Sequence, residues 1–317
     1  MSLKSWFIKQ QIRRQKDYFN NLSIMDLRNE MEAAFATLPM PQTAVVSESR
    51  FAKNLHGKWI KDDLSDTNSV LLYLHGGGFC QGSSQSYQRS GYDLVSITGI
   101  QMFLPDYRLA PESPFPAAIY DCVKAYDFLV EEGYAPDKIA IVADSAGSAL
   151  ALSTVSVLKK RNASLPACLV LLSPCVTVEI YDDPHIYRDL EQKDVMLSEK
   201  ILRTFSNAYL NGHDPKDPLA SPIYADLTGF PPIFISIGTD DMLIDSARSF
   251  YMRALDHCVD ACFYVNDGCM HAHHLLGLYV PEAEETISKA SVFLRKKLNL
   301  SLSYKHHKIP QVHLDKD

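Results

Sequence analysis

The chain has 317 residues, of which 46% are hydrophobic and 22% charged, with 17 prolines and 14 glycines. That composition is ordinary for a globular protein and excludes the disordered and fibrous classes, and the length suffices for one sizeable α/β domain. The net charge of -7, with no basic run longer than three residues, gives no electrostatic footprint for nucleic acid, so no nucleic-acid partner is expected.

The cysteines and the amino-terminal segment bear on the cellular compartment. The seven cysteines are odd in number and scattered without a CxxC pair, which favours reduced thiols. Residues 1–16 alternate apolar residues with Lys and Arg and never form the apolar run of a signal peptide. No stretch approaches the roughly 20 apolar residues needed to span a bilayer. A cytoplasmic location without stable membrane insertion is therefore predicted.

The first predicted element is a helical segment over residues 5–37. Its apolar stripe comprises Phe7, Ile8, Ile12, Phe19 and Leu22. Ser23, with Asp26 three residues later, predicts that the helix restarts there, because a serine hydroxyl can accept the hydrogen bond of an amide in the first turn. The proline-containing residues 38–41 end the segment.

Beyond residue 41, short apolar runs alternate with segments of helical spacing, which is typical of a mostly parallel sheet covered on both faces. The predicted strands are 69–74, 101–104, 138–143, 168–173, 233–237 and 261–265. The predicted helices are 90–98, 117–132, 146–161, 246–257 and 282–297. Residues 179–218 are charged and poor in strand signal, so they interrupt the alternation as an insertion would.

A glycine-rich loop, HGGGF at residues 75–79, follows the first of these strands. Three consecutive glycines let the backbone approach a ligand and turn amide groups towards one point, which suits a tetrahedral oxyanion. The expected donors are the N–H groups of Gly77, Gly78 and Ala146. The spacing fits neither a dinucleotide fingerprint nor a Walker phosphate loop. His75 is expected to fix the loop rather than to transfer protons.

Ser145 lies between a buried-strand run and a helix of small residues, in the sequence ADSAG at 143–147. A serine on so tight a strand-to-helix turn is strained and exposed at the end of the sheet, and the helix amino terminus favours negative charge near it. The usual pattern is G-x-S-x-G, and Ala143 replaces its first glycine. A relaxed match is also typical of an ordinary helix N-cap, but the position after a strand favours a nucleophile.

Three segments together resemble the bacterial esterase branch of the hormone-sensitive lipase family of α/β-hydrolases. They are HGGGF at 75–79, DYRLAPE at 106–112 followed by PFPAA at 114–118, and DSAG at 144–147. The resemblance spans about residues 60–295 and implies the α/β-hydrolase fold, with a mostly parallel eight-stranded sheet and helices on both faces. It also implies one domain over residues 1–317, with a helical cap formed by 1–42 and about 179–212.

The resemblance assigns further roles in the neighbourhood of the nucleophile. Members of the family pack the middle segment, 106–112, behind the active site without using it in chemistry, and His75 and Asp144 are expected to support the glycine loop. Members commonly have glycines where this chain has Ala143 and Ser148. The packing of the nucleophile turn is therefore expected to differ here from that of its relatives.

α/β-Hydrolases supply their catalytic residues in the chain order Ser, Asp or Glu, His. Similarity to the family's D-x-L-x-D pattern after the fifth predicted strand assigns the acid to Asp241. Asp240 is the rival for that role, whereas Asp245 directly precedes a helix and is interpreted as its N-cap. His271 follows the sixth predicted strand and takes the role of the base. Its expected tasks are to remove the Ser145 proton and return it to the leaving alkoxide, while the acid fixes its tautomer.

A cluster of cysteine and histidine near the base also suggests a metal site. Cys269, His271, His273 and His274 are close in sequence, but ligands crowded into one short segment rarely close a tetrahedral site. Neither a metal nor another cofactor is therefore expected, and the last two histidines are interpreted as helix residues, one of them facing the core. Cys80 is interpreted as a small buried residue rather than a reactive thiol.

The substrate pocket is expected between the amino-terminal helices and the insertion. The large apolar side chains of the insertion are Tyr181, Tyr187, Met196, Leu197, Phe205 and Tyr209. At helical spacing such residues more often pack within a cap than contact a ligand, but their number implies a mainly apolar pocket. With the resemblance, this predicts a carboxylesterase that acts on short- to medium-chain acyl esters through an acyl-enzyme.

Two other functions stay open on the sequence alone. Amidases and N-deacetylases use the same three residues, and no residue of the sequence distinguishes a preference for esters from a preference for amides. The family resemblance also covers plant hormone receptors in which a triad member is lost, although Ser145, Asp241 and His271 are all present here. The resemblance further suggests a homodimer.

Overall fold

The computed structural model describes residues 1–180 and 184–302, and of residues 184–188 the backbone only. The helices are α1 (Leu3–Phe19), α2 (Ile24–Phe35), α3 (Gln88–Thr98), α4 (Ala117–Glu131), α5 (Ala146–Lys160), α6 (Pro184–Lys193), α7 (Glu199–Leu210), α8 (Ile244–Asp256) and α9 (Pro281–Lys297). The strands are β1 (Val45–Ala52), β2 (Leu55–Lys61), β3 (Asp66–Leu74), β4 (Ile100–Pro105), β5 (Ile139–Asp144), β6 (Cys168–Leu172), β7 (Ile233–Asp240) and β8 (Ala261–Met270). Short 3₁₀ helices cover Pro136–Lys138, Pro222–Tyr224 and His273–Tyr279.

The strands form one eight-stranded sheet in the order β1-β2-β4-β3-β5-β6-β7-β8. β2 pairs antiparallel with both β1 and β4, and every later pairing in that order is parallel. The predicted fold is thereby confirmed as a mostly parallel eight-stranded sheet. Because the strands from β3 to β8 run in one direction, their carboxyl ends and the loops that follow them lie at one edge.

Both faces of the sheet are covered by helices, and the central strand β5 shows how. Its residues Ile139, Ile141 and Ala143 point into a core shared with α4, α5 and α8, while Ala140 and Val142 point into a second core shared with α3 and α9. Side chains alternate between the two faces because the strand period is two residues. A strand that is buried on both faces reads as a continuous apolar run, which is why the sequence predicts it.

The sequence patterns do not predict β1 and β2. Most residues of β1 are exposed or half-buried, because the strand lies at the edge of the sheet, and it therefore lacks a continuous apolar run. Its charged residues Glu48 and Arg50 suit an exposed edge, where charge discourages pairing with other chains.

The predicted helix restart near residue 23 is confirmed. α1 ends at Phe19, and the Ser23 hydroxyl accepts the N–H of Asp26 at 3.1 Å as α2 begins. The segment predicted as an insertion contains α6 and α7 and contributes no strand within its described residues. None of the helices in the described ranges is long and apolar enough to cross a membrane.

The prediction that Asp245 is the N-cap of the following helix is wrong. α8 begins at Ile244, and Asp245 lies exposed in its first turn. The preceding turn is closed by Asp241, whose Oδ1 accepts the N–H of Leu243 at 2.9 Å. The carboxylate that organises this helix start is therefore the same one that was predicted to be the acid.

Candidate active site

Ser145 forms the turn between β5 and α5. Its backbone has φ 46° and ψ −124°, a region that residues other than glycine rarely adopt, and its N–H donates to the carbonyl oxygen of Leu172 at 3.0 Å. Gly147 passes so close to β3 that a Cβ there would lie 2.0 Å from the carbonyl oxygen of Leu74. This crowding fixes the turn, so the Ser145 hydroxyl is held at the carboxyl edge of the sheet.

The two positions where the chain departs from the family's glycines differ in their environment. Ala143 is fully buried between Leu74 of β3 and Leu171 of β6, and its methyl group belongs to the core. Ser148 is also fully buried, and its hydroxyl has no hydrogen-bond partner among the described residues. The turn therefore accepts the Ala143 methyl without a polar cost, whereas Ser148 adds an unpaired polar group to the first turn of α5.

His271 lies between Ser145 and Asp241. Its Nε2 is 2.9 Å from Ser145 Oγ, and its Nδ1 is 2.9 Å from Asp241 Oδ2. An ionised carboxylate can only accept, so Nδ1 carries a proton and Nε2 is free to accept the proton of the serine hydroxyl. The structure thus brings the three predicted residues together, from the ends of three different strands.

The surroundings of His271 favour its protonated form. Its side chain is buried, which disfavours the charge, but Asp241, through its charge and its hydrogen bond, and the charges of Asp194 and Asp144 outweigh this and raise the pKa of His271. The imidazolium that forms when the base takes up a proton is therefore stabilised.

Asp240, the rival acid, has a different partner. Its carboxylate forms an ion pair with Lys9 of α1, whose Nζ also donates to the carbonyl oxygen of Gly268 at 3.0 Å. Lys9 is almost fully buried. Asp240 therefore anchors the amino-terminal helix to the sheet and is not the carboxylate that contacts His271.

The glycine loop adjoins Ser145. Gly77, Gly78 and Ala146 line the same cavity as Ser145. Gly78 has φ 61°, and a Cβ at this position would lie 2.2 Å from Cδ2 of Phe205 in α7. Only glycine satisfies both the conformation and the close approach, so the backbone of the loop stays open to the cavity.

Asp144 accepts three hydrogen bonds, one of them from the glycine loop. Its carboxylate accepts from the hydroxyls of Tyr73 and Tyr87, at 3.0 and 3.1 Å, and from the N–H of Gly76 at 2.9 Å. Burial raises the pKa of Asp144 to about 6, although these hydrogen bonds act in the opposite direction. The carboxylate ties the residue before the nucleophile to the start of the glycine loop.

His75 is also placed as a support rather than as a proton carrier. Its ring is fully buried and stacked on Tyr107, with 4.2 Å between the ring centroids, and its Nδ1 lies 2.8 Å from the carbonyl oxygen of Gly76. Tyr107 belongs to the middle segment of the resemblance and donates its hydroxyl proton to the carbonyl oxygen of His75 at 2.6 Å. That segment therefore packs against the loop from behind.

The remaining histidine and cysteine candidates are buried packing residues. His273 and His274 lie in a 3₁₀ helix, and both face the interior, where one was expected to do so. Within residues 1–180 and 184–302 no group of histidine, cysteine or acidic residues could hold a metal ion. Cys80 is buried, which raises the pKa of its thiol to about 12. A thiol of this kind is not a reactive nucleophile at neutral pH.

A largely apolar cavity of about 370 Å³ lies above Ser145. Its walls include Ile12, Phe19, Leu27 and Met31 from α1 and α2, and Val195, Met196, Leu197, Ile201 and Phe205 from the insertion. Tyr209 does not line it, since its ring is stacked on Phe79 with 3.8 Å between centroids. Tyr181 and the side chain of Tyr187 lie outside the described residues.

Sequence reasoning missed several residues that hold the site together. Tyr73 is a tyrosine within an otherwise aliphatic buried strand, and a polar tip in such a run signals a buried partner, here Asp144. The sequence does not mark Lys9 and Asp194 in this way, because charged residues in polar helical segments are normally exposed to solvent. Their burial depends on tertiary packing.

Comparison with known proteins is consistent with this architecture. A family model described as alpha/beta hydrolase fold matches residues 71–275. The chain is 34% identical over 264 residues to an acetyl-hydrolase from Streptomyces hygroscopicus, covering 83% of this chain and 86% of that protein. It is 30% identical over 274 residues to an esterase from Acinetobacter venetianus, covering 86% and 89%. A solved esterase structure from the bacterial hormone-sensitive lipase family matches with a TM-score of 0.88 at 31% identity, covering 94% and 99%.

The sheet, its strand order and the strained serine turn define an α/β-hydrolase. Within that class the chain belongs to the bacterial hormone-sensitive lipase family, as its three sequence segments indicated, and it is an esterase. The non-catalytic receptor alternative is thereby set aside.

Proposed function

We propose that the chain hydrolyses short- to medium-chain acyl esters through Ser145, His271 and Asp241, with an acyl-enzyme intermediate. The observation that carries this proposal is the continuous pair of 2.9 Å hydrogen bonds from Ser145 through His271 to Asp241. Nucleophile, base and orienting acid each lie within the distance that proton transfer requires.

In the first half of the reaction, Ser145 Oγ forms a bond to the carbonyl carbon of the ester while its proton passes to His271 Nε2. The carbonyl oxygen becomes an oxyanion, for which the N–H groups of Gly77, Gly78 and Ala146 are the proposed donors. As the oxyanion collapses, the bond to the alcohol oxygen breaks, and His271 returns its proton to that oxygen.

In the second half, a water molecule attacks the acyl carbon and gives its proton to His271 Nε2. The bond to Ser145 Oγ then breaks, the acid is released, and the serine recovers its proton. Asp241, through its contact with His271 Nδ1, stabilises the imidazolium in both halves. The raised pKa of His271 fits this role, because it reflects stabilisation of the charged ring.

The apolar cavity supports the proposed substrate class. Its volume of about 370 Å³ and its aliphatic, aromatic and thioether walls suit an uncharged acyl chain and alcohol group. The proposed cap, residues 1–42 and about 179–212, supplies most of those walls. A small acyl group would leave part of the cavity unfilled, so esters somewhat longer than acetate are expected to bind more tightly.

The test is hydrolysis of p-nitrophenyl esters from acetate to octanoate by the parent protein and by Ser145→Ala. The variant is expected to lose about 10⁴- to 10⁶-fold in kcat, and a fluorophosphonate probe should label only the parent. Parental turnover by the variant would remove Ser145 from the mechanism. Matched ester and amide substrates compare the esterase with the amidase alternative, because amides need stronger protonation of the leaving group.

The homodimer and the cytoplasmic location stay predictions. Size-exclusion chromatography with light scattering measures the first, and fractionation of the source cells measures the second.

A further inference from the structure

Asp194 is a buried carboxylate close to the active site that the proposed mechanism does not use. It follows the last residue of α6 and is 1% exposed. Its negative charge interacts electrostatically with both Asp241 and His271. Burying a charge lowers stability unless hydrogen bonds or opposite charges compensate it. The partners of this carboxylate therefore indicate its role.

The two oxygens of Asp194 bind different parts of the chain. Oδ1 accepts the N–H groups of Met196 and Leu197, at 2.8 and 3.0 Å. Oδ2 accepts the N–H of Met242 at 2.9 Å. The first pair lines the substrate cavity, and Met242 is the residue directly after Asp241. One side chain therefore connects the wall of the cavity to the loop that carries the acid.

Asp241 makes the complementary contact on the same loop. Its Oδ1 accepts the N–H of Leu243, the residue after Met242, and its Oδ2 contacts His271. Two successive amides of one turn are thus held by two different carboxylates. Each carboxylate limits how the turn can rotate, and the direction of Asp241 Oδ2 depends on that rotation.

We propose that Asp194 is a positioning residue of the esterase, which clamps the loop carrying Asp241 to the cavity-lining residues 195–197 and brings a second negative charge that acts on His271. The proposal rests on the function assigned above to Ser145, His271 and Asp241. It is separate from that function, because the side chain of Asp194 binds the amides of Met196, Leu197 and Met242 and not Ser145.

The charged groups around Asp194 come from several elements. Asp241 and His271 face it from the ends of β7 and β8, and Glu191 belongs to the preceding helix α6. From α1, the Nζ of Lys16 donates to the backbone carbonyl oxygens of Glu191 and Asp194, at 2.8 and 2.7 Å. Burial, followed by the charge of Asp241, raises the pKa of Asp194 above its ordinary value, so it is ionised only above that raised pKa.

Asp194→Asn removes the charge and leaves at most one of the two oxygens as an acceptor. We expect kcat to fall by about ten- to a hundredfold through misplacement of Asp241. Because one negative charge near His271 is lost, the acid limb of the kcat/KM profile should move to lower pH by about half a unit or more. A residue with a merely structural role would lower activity without moving that limb.

Asp189→Asn is the matched control, since it removes the same charge from an exposed position on α6. Its kcat and its acid limb should stay at the parental values, because an exposed charge is screened by solvent. An unmoved limb in Asp194→Asn, or an equal shift in both variants, overturns the proposal. Labelling of Asp194→Asn by the fluorophosphonate probe, with no activity in Ser145→Ala, keeps this test distinct from the test of the proposed function.

Asp194→Glu serves as the second variant if Asp194→Asn does not fold. The longer side chain keeps the charge but cannot hold the same three amides at the same spacing. A fall in kcat with the acid limb and the thermal midpoint at their parental values supports the proposal, because a merely structural role would lower the thermal midpoint as well. Parental kcat and KM, or a moved acid limb, overturn it.

Discussion

The floor of the active site and its helical roof are built on different physical principles. The floor consists of the strand ends and loops that carry Ser145, Asp241 and His271, and its geometry comes from close backbone contacts and residues with unusual φ values. The roof consists of α1, α2 and α7, which reach the cavity with apolar side chains. It is attached to the floor by a few polar links, such as those of Lys9. Small changes in the floor should therefore affect the chemistry, and changes in the roof should affect stability and substrate choice.

Apart from changes to the three proposed catalytic residues, the largest effect is expected from Gly78→Ala in the floor. An added Cβ would meet Phe205 at 2.2 Å and require a positive φ that alanine disfavours, so the loop must shift. We expect kcat on p-nitrophenyl butyrate to fall by about a hundredfold, the cost of losing one oxyanion donor. Parental kcat would show that the loop amides do not act in the reaction.

Gly133→Ala is the control for this change. Gly133 also has a positive φ, of 99°, but a Cβ there meets nothing within 4 Å. Gly133→Ala should lower the free energy of unfolding by about 1 kcal/mol and leave kcat unchanged. Adding Phe205→Ala to Gly78→Ala separates the two causes, because it removes the contact with the roof but not the strain in the floor.

The pH dependence of the floor is the next largest effect. The base must be neutral to accept the serine proton, and the carboxylates around His271 raise its pKa above 6.5. kcat/KM should therefore fall about tenfold per pH unit on the acid side, with its limb above pH 6.5. A stopped-flow or plate assay across pH 5 to 10, with thermal melts at each pH, measures this. A limb at or below 6.5 would contradict the assigned surroundings of His271.

Breaking a link between roof and floor should act mainly on stability. Lys9→Met removes the ion pair of Asp240 and the hydrogen bond that Lys9 donates to the carbonyl oxygen of Gly268. Because Asp240 is partly exposed, we expect the free energy of unfolding in urea to fall by about 1 to 3 kcal/mol. Arg161→Met breaks an exposed ion pair with Asp127 and should cost less than about 1 kcal/mol. Equal losses in the two variants would show that the Lys9 link adds nothing beyond a surface contact.

The smallest effect is expected inside the roof. Met31→Ala enlarges the cavity at its α2 wall, so octanoate should improve relative to acetate by about fourfold in kcat/KM for each further methylene that is buried. Met25→Ala, on the exposed side of the same helix, should leave the chain-length preference unchanged. An unchanged preference in Met31→Ala would place the acyl chain against another wall.

The same contrast explains what could be predicted from the sequence. Strands β3 to β8 contain apolar runs, and Ser145, Asp241 and His271 come directly after three of them. Local sequence patterns and the family resemblance therefore predict both these strands and these residues. The sequence patterns do not predict the edge strand β1, because exposure gives it a mixed pattern, or β2, because polar residues interrupt its apolar ones. The contacts of Lys9 with Asp240 and of Asp194 with Met242 could not be predicted, because each joins segments far apart in the chain and depends on tertiary packing. The N-cap assigned to Asp245 failed because Asp241 had already closed the turn.

The contacts of Lys9 also have a consequence for the order in which parts of the protein can assemble during synthesis. Lys9 binds next to Asp241 and near His271, at Asp240 and Gly268, across sequence separations of 231 and 259 residues. During translation α1 leaves the ribosome more than 200 residues before these partners do. α1 therefore cannot make these contacts until β7 and β8 have emerged, and the wall that α1 gives to the cavity is completed only then.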